Sequence, residues 1–158
     1  MVKVLVLGSK EFPFGVNKGF DRMLSGGIEV HVEELVNLLK KQHNVTVITR
    51  KFPGVPNFEK KRGVTIIRVP WIKGFLFRNP SFNFMSFLKA LKLNFDVIIC
   101  HDVVANFFGV LLSKIKRKPV IVVAHGTPSA LRRYNFLIRF GLTLAEWVAY
   151  NHANHIIS

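Results

Sequence analysis

Six short runs of apolar, largely β-branched residues recur along the chain and constrain its fold more than any other feature. Most are continuously hydrophobic rather than alternating, which is the pattern of parallel strands covered on both faces. Longer segments separate them, so the sequence predicts an α/β domain with a mainly parallel sheet and right-handed crossovers. The predicted strands are residues 2–7, 45–49, 64–69, 96–100, 120–124 and 155–157.

Four segments between these runs have helical spacing. The clearest follows Gly27, where apolar residues recur on one face from Ile28 to Leu39. Acidic residues lie early in that segment and lysines late, as the helix dipole favours, and we expect both to face solvent. The other predicted helices are residues 83–93, 103–115 and 136–152.

Composition limits the class of protein. With 158 residues the chain is one ordinary domain, and 23 Lys and Arg against 9 Asp and Glu give a net charge of +14. Such a charge indicates anionic partners: phosphate-bearing small molecules, nucleic acid or an anionic membrane surface. The single Cys100 excludes an intrachain disulfide and fits a reducing compartment. We expect a cytoplasmic domain, with peripheral contact to the inner membrane face as an open alternative.

The connection between the first strand and the first helix, residues 8–27, is long and ends in Ser25-Gly26-Gly27. Extra length at the carboxyl end of a strand is where doubly wound folds place ligand loops. Two glycines before a helix expose backbone N–H groups that attract phosphate; the alternative is a turn that needs positive φ. No G-x-G-x-x-G follows Gly8, which argues against a nicotinamide or flavin enzyme.

Two histidines follow predicted strands and are the next candidates. His125 comes directly after the run 120–124, and His101 follows the run 96–100. Since parallel strands end at one edge, these imidazoles are expected to reach the same crevice. The alternatives are a loop histidine bonded to local backbone for His125 and a packed core residue for His101.

Neighbouring residues complete the candidate set. Asp102 is the predicted N-cap of the helix that follows His101, and Arg132 is placed to face an anionic ligand. His31 is interpreted as a surface residue of the first helix. No H-E-x-x-H spacing occurs, so no catalytic metal is predicted.

Residues 52–95 interrupt the regular alternation. A basic loop at 60–62 precedes a cluster rich in phenylalanine, where Lys73 and Arg78 are interleaved with aromatic residues. Three interpretations are open: core packing, which we favour, an interdomain surface, or a lipid contact of the interfacial type. The cluster comprises Trp71, Phe75, Phe77, Phe82, Phe84 and Phe87.

Taken in order, these segments resemble the amino-terminal domain of a GT-B fold glycosyltransferase of the family-4 type, also called group 1. The resemblance spans nearly the whole chain. It rests on the opening strand, on residues 25–35, 44–49, 96–101 and 122–127, and on Glu146 ahead of residues 153–158.

The resemblance implies a Rossmann-like doubly wound fold with helices on both faces. It implies that residues 1–158 are a single acceptor-side domain and that the carboxyl-terminal, donor-binding domain is absent from this chain. The implied reaction transfers a hexose, with retention, from a nucleotide sugar to a sugar or lipid-linked acceptor. No cofactor or metal ion is expected, and this part alone is expected to be inactive.

The resemblance also implies roles for individual residues. Gly26 and Gly27 would lie near the donor phosphates, and His125 would be the catalytic residue that approaches the transferred sugar. His101, Thr127 and Arg132 are the expected acceptor-binding residues. These roles are carried over from the family pattern and do not follow from spacing alone.

The rival interpretation is a non-catalytic basic module that binds nucleic acid or an anionic surface. It rests on the +14 charge. The chain has no recognisable helix-turn-helix, zinc knuckle or aromatic RNA-binding motif, so nucleic acid is not an expected partner. A nucleotide-sugar-modifying enzyme of another doubly wound type is disfavoured by the missing glycine fingerprint.

Overall fold

A computed structural model describes residues 1–16, 26–125 and 135–158. Within these ranges the chain forms seven strands and four helices, and the predicted alternation of strands and helices is confirmed. In chain order they are β1 (Lys3–Leu7), α1 (Gly27–Leu39), β2 (Asn44–Arg50), β3 (Phe58–Lys61), β4 (Val64–Val69), α2 (Arg78–Leu91), β5 (Val97–His101), α3 (Val103–Lys116), β6 (Val120–Val123), α4 (Phe136–His152) and β7 (His155–Ile157).

The strands form one sheet in the order β3-β4-β2-β1-β5-β6-β7. Every neighbouring pair is parallel except β3 and β4. Leu7 of β1 pairs with Cys100, and His101 pairs with Val123 of β6. The carboxyl ends of the central strands therefore lie side by side at one edge of the sheet.

Helices cover both faces of the sheet, as predicted. In β1, Leu5 and Leu7 pack into a core with residues of α2 and α3, whereas Val4 and Val6 pack with Val32 of α1 on the opposite face. Because successive side chains of a strand point to opposite faces, a continuously apolar run is what such a sheet requires. The architecture is the expected doubly wound, Rossmann-like α/β fold.

The basic loop expected at 60–62 is partly a strand. β3 pairs antiparallel with β4, and the hairpin turns through Arg62 and Gly63, both with positive φ. Its residues are mostly exposed and charged, so the strand carries no apolar run to reveal it. A fully buried Arg68 guanidinium in β4 pairs with Glu59 at 2.8 Å and stabilises the hairpin.

The phenylalanine cluster is divided between core and surface. Phe82 and Phe87 are buried in α2 and belong to the core, as we favoured. Phe75, Phe77 and Phe84 are exposed. The helix begins at Arg78 rather than at the predicted residue 83, because the predicted start relied on the apolar residues alone.

In the part of the chain that the structure describes, no helix combines the length and the apolar character needed to cross a membrane.

Gly8, directly after β1, lies very close to the backbone at the end of β5. A Cβ atom there would overlap the carbonyl group of His101 and would lie 2.8 Å from the Cβ of Ala105. Its φ of +93° also favours glycine. The close packing of β1 against the end of β5 thus depends on the missing side chain.

We expect Gly8→Ala to lower the free energy of unfolding by about 3 kcal/mol or more, since it adds an overlap to backbone strain. Gly54→Ala is the matched control, because Gly54 also has positive φ but a Cβ there would meet nothing within 4 Å. It should lose only about 1 kcal/mol. Urea unfolding of both variants measures the difference, and equal losses would contradict the role of the close approach.

Candidate functional site

The start of α1 is anchored by acidic side chains. The buried carboxylate of Glu29 accepts hydrogen bonds from the backbone N–H of Gly26 at 2.7 Å and of Lys10 at 3.4 Å. Glu33 accepts another from the N–H of Phe14 at 3.0 Å. These bonds fix the segment after β1 against the helix, so Glu33, which we expected on the solvent face, is a structural anchor together with Glu29.

Gly26 and Gly27 leave the beginning of α1 open. Gly26 has extended backbone with φ −161°, and neither glycine has positive φ, so the alternative of a turn that needs it is wrong. Among the described residues, a Cβ at Gly27 would meet nothing within 4 Å. The first N–H groups of a helix have no intrahelical acceptor. The N–H of Gly26 is already donated to Glu29, so Gly27 is the glycine whose N–H an anion can approach closely.

Three histidines meet at the same edge of the sheet. His101 ends β5, His125 follows β6 by two residues, and His31 lies one helical turn beyond Gly27. Nδ1 of His101 lies 2.9 Å from Nε2 of His125. The ring of His31 is centred 5.5 Å from that of His101 and 5.2 Å from that of His125. The predicted convergence of His101 and His125 is confirmed, and α1 reaches the same place.

His31 is the residue that sequence reasoning missed. Its interpretation as a surface residue beside Glu29 agrees with its exposure, but that interpretation gives no sign of its contact with the two strand-end histidines. Its position four residues after Gly27 was the available signal, since that spacing puts it one turn from the exposed helix start. Only the packing of α1 over the strand ends shows which neighbours it meets.

His101 and His125 are both held in the neutral form. Burial first, and then the neighbouring His125 and His31, lower the pKa of His101 to about 3. The pKa of His125 is also lowered, first by burial, then by His31 and Lys10, while Asp102 opposes the shift. Both rings are therefore uncharged at neutral pH and act through hydrogen bonds or lone pairs.

The hydrogen bond between the two rings also suggests where the protons lie. Nε2 of His101 is buried and has no hydrogen-bond partner among the described residues. A neutral imidazole carries one proton, and buried N–H groups without acceptors are rare. We therefore assign the proton of His101 to Nδ1, where it is donated to Nε2 of His125, which leaves the proton of His125 on Nδ1.

Asp102 stands at the N-cap of α3, as predicted, but its carboxylate makes no capping hydrogen bond. Its backbone has φ +83° and ψ +139°, a conformation that L-residues rarely adopt. The carboxylate instead acts electrostatically on His125. Strained backbone beside an imidazole is often found at functional sites.

Two predicted acceptor residues, Thr127 and Arg132, lie outside the described residues, so their roles stay predictions. His101 is described, and its side chain is fully buried. Its described contacts are with the other two rings. Direct contact between His101 and an acceptor is therefore disfavoured, and a role in orienting His125 fits the geometry better.

Comparison with known proteins adds an independent finding. The chain is 33% identical over 113 residues to an uncharacterized glycosyltransferase of Methanocaldococcus jannaschii, covering 65% of this chain and 27% of that protein. Among solved structures, sucrose-phosphate synthase from Thermosynechococcus elongatus is similar with a TM-score of 0.68 at 17% identity. That match covers 98% of this chain and 41% of the other, so the chain spans less than half of either relative.

The family model of Glycosyltransferase Family 4 matches residues 25–158, a range that begins just before the start of α1 and includes all three histidines. The structural likeness confirms the fold, and the family match agrees with the resemblance noted in the sequence. The chain therefore belongs to glycosyltransferase family 4 and has the fold of the amino-terminal domain of a GT-B enzyme of that family.

Proposed function

We propose that this domain forms one wall of a cleft in which a hexose moves from a nucleotide sugar to an acceptor with retention of anomeric configuration. A second domain, which binds the donor, would form the other wall, and the present domain would be inactive without it. One observation carries the proposal: the open glycine start of α1 and His125 lie at the same sheet edge, joined by the ring contact between His31 and His125.

The start of α1 would bind the diphosphate of the donor. During transfer, the bond between the anomeric carbon and a phosphate oxygen breaks while a bond to the acceptor hydroxyl oxygen forms. Negative charge grows on the leaving diphosphate, and the departing phosphate oxygen takes the proton that the acceptor hydroxyl loses. The N–H of Gly27, which has no acceptor among the described residues, and the helix dipole would stabilise that charge most strongly in the transition state.

His125 would hydrogen-bond the transferred sugar. Since its pKa is lowered, it meets the sugar as a neutral imidazole whose Nδ1–H can donate to a hydroxyl. His101 would hold that tautomer and the ring orientation through the 2.9 Å bond. It is thus proposed as a positioning residue. No metal or other cofactor is needed for these steps.

The first test replaces His125 in an enzyme that contains both domains. We expect His125→Ala to lower kcat by about 10²–10³, the loss seen when one preorganised donor is removed. His125 is exposed, but its loss leaves the buried Nδ1–H of His101 without its acceptor, so the free energy of unfolding should fall by about 1–3 kcal/mol. The rates are therefore compared where both proteins are folded. His152→Ala, on the exposed end of α4, is the control and should keep the wild-type rate. An unchanged rate in His125→Ala would remove His125 from the mechanism.

The second test separates folding from phosphate binding. Gly27→Ala should fold as well as the wild type or gain about 1 kcal/mol, because alanine favours helix and the new Cβ meets no described residue. The same methyl group would block a phosphate that approaches the backbone. We expect weaker donor binding by calorimetry without loss of thermal stability. Wild-type donor affinity in this variant would contradict a phosphate site at Gly27.

We also propose that the domain works in the cytoplasm at an anionic membrane surface, which fits a lipid-linked acceptor. Helices of a parallel α/β sheet begin at the carboxyl edge. There the residues just before α2 and the first turns of α4 expose apolar side chains, beside the half-buried Arg78 and the exposed Arg139. An apolar groove of about 480 Å³ runs between the same helices and α3. The exposed side chains are Phe75, Leu76, Phe77, Phe136, Leu137 and Phe140.

Charge favours an anionic surface as the partner of this patch. Glu146 is the sole acidic residue of α4, and it is buried. Aromatic residues beside cations suit the boundary between lipid headgroups and acyl chains. The +14 charge adds long-range attraction to anionic lipid.

Sedimentation with vesicles tests this surface. Binding should be strong on vesicles with phosphatidylglycerol, weak on pure phosphatidylcholine and reduced by salt. Phe136→Ser/Phe140→Ser should lower partitioning at least about tenfold, since burying one such ring is worth about 1.5–3 kcal/mol. Phe58→Ser, which removes an exposed phenylalanine from β3, is the control. Equal partitioning of the two variants would contradict the proposal.

A further inference from the structure

The ring nitrogens of the three histidines lie close to one another. One nitrogen from each of His31, His101 and His125 lies within 4.8 Å of the other two. In a tetrahedral zinc site the metal–nitrogen bonds are about 2.0–2.1 Å, so ligand nitrogens lie about 3.3 Å apart. The pair formed by His101 and His125 is already at 2.9 Å. Bringing all three nitrogens to the separation of a tetrahedral site therefore needs side-chain shifts on the order of 1 Å.

The protein holds these ligands in a suitable form. They come from α1, the end of β5 and the segment after β6, so the sheet and one helix fix their backbones. Imidazole nitrogens are common ligands of divalent transition metals. Three imidazoles leave a fourth tetrahedral position for an exchangeable ligand, as in open zinc sites.

We propose that His31, His101 and His125 bind a divalent transition-metal ion of the zinc type, and that the bound ion withholds His125 from the sugar. The metal site follows from the geometry of the three rings. Its inhibitory effect rests on the proposed function. The ion would be a regulator rather than a cofactor, because binding it replaces the bond from His101 and moves the ring of His125 by about 1 Å, so that its Nδ1–H no longer meets the sugar hydroxyl.

Local charges and protons set the expected strength of this site. Asp102 favours a cation near His125, whereas Lys10 opposes it. Coordination through Nδ1 of His101 would move its proton to Nε2, a buried nitrogen without an acceptor among the described residues. Such an N–H costs about 1–3 kcal/mol. Binding should therefore be reversible and weaker than at structural zinc sites, which suits regulation.

Cobalt(II) is the direct probe, since it replaces zinc and gives intense visible absorption when its coordination is tetrahedral. We expect the 158-residue chain, freed of metal by a chelator, to bind one Co²⁺ with tetrahedral bands that Zn²⁺ removes. Loss of a residue that merely supports a ligand weakens metal binding about 10–100-fold. Loss of a ligand in His31→Ala or His125→Ala should therefore exceed about 100-fold.

Controls distinguish a site from general histidine binding. His152→Ala should bind Co²⁺ as the wild type does, because that residue lies at the far end of α4. His101 is fully buried, so His101→Ala tests the site only if circular dichroism shows a folded chain. If circular dichroism shows that His101→Ala is unfolded, His31→Ala and His125→Ala still test the site. Absence of saturable tetrahedral cobalt, or unchanged affinity in His31→Ala, would overturn the metal site.

Inhibition is then measured in the two-domain enzyme. Zn²⁺ should lower the transfer rate of the wild type, and His31→Ala should relieve this inhibition when each protein is compared with its own metal-free rate. If cobalt binds as expected but zinc leaves the rate unchanged, the metal site stands and its inhibitory effect is refuted. If His125→Ala keeps full activity, the proposed function fails while the metal site is unaffected.

Discussion

The parallel register of β1, β5 and β6 is the constraint on which the rest of the structure depends. It brings Leu7 beside Cys100 and His101 beside Val123, so the chain segments that leave these strands emerge together. The approach is so close at Gly8 that a side chain there would overlap the backbone of His101. Hydrogen bonds from backbone N–H groups to the carboxylates of Glu29 and Glu33 hold α1 in place over this edge. The three imidazoles meet because these backbone positions are fixed.

Much of this fold is predictable from the sequence because buried parallel strands need uninterrupted apolar runs. All six predicted strands are present, and the helices that start near residues 27, 103 and 136 follow the predicted spacing. β3 was missed because a short, exposed, charged strand lacks the one signal that periodicity uses. The start of α2 was placed five residues late because Arg78 and Asn79 show no apolar pattern, although Asn79 accepts a hydrogen bond from the buried Arg50.

The site was predictable only where a residue directly follows a strand. His101 and His125 do, and topology alone brings them to one edge. His31 and Glu29 do not, because their places depend on how α1 packs over the strand ends. Burial also cannot be deduced from a single residue: the sequence leaves His101 open between an acceptor-binding and a packed residue, and the structure buries its side chain within hydrogen-bond distance of His125. The roles predicted for Thr127 and Arg132 stay predictions.

The hairpin of β3 and β4 has a further consequence for how the molecule behaves in solution. The last strand of a sheet has unpaired backbone N–H and C=O groups, which can pair with a strand of another chain and cause edge-to-edge aggregation. Here the outermost strand on that side is four residues long, and Lys60 and Lys61 are exposed on it. Short length and like charge discourage another strand from pairing there. Although β3 carries no residue of the candidate site, it thus protects this sheet edge against self-association.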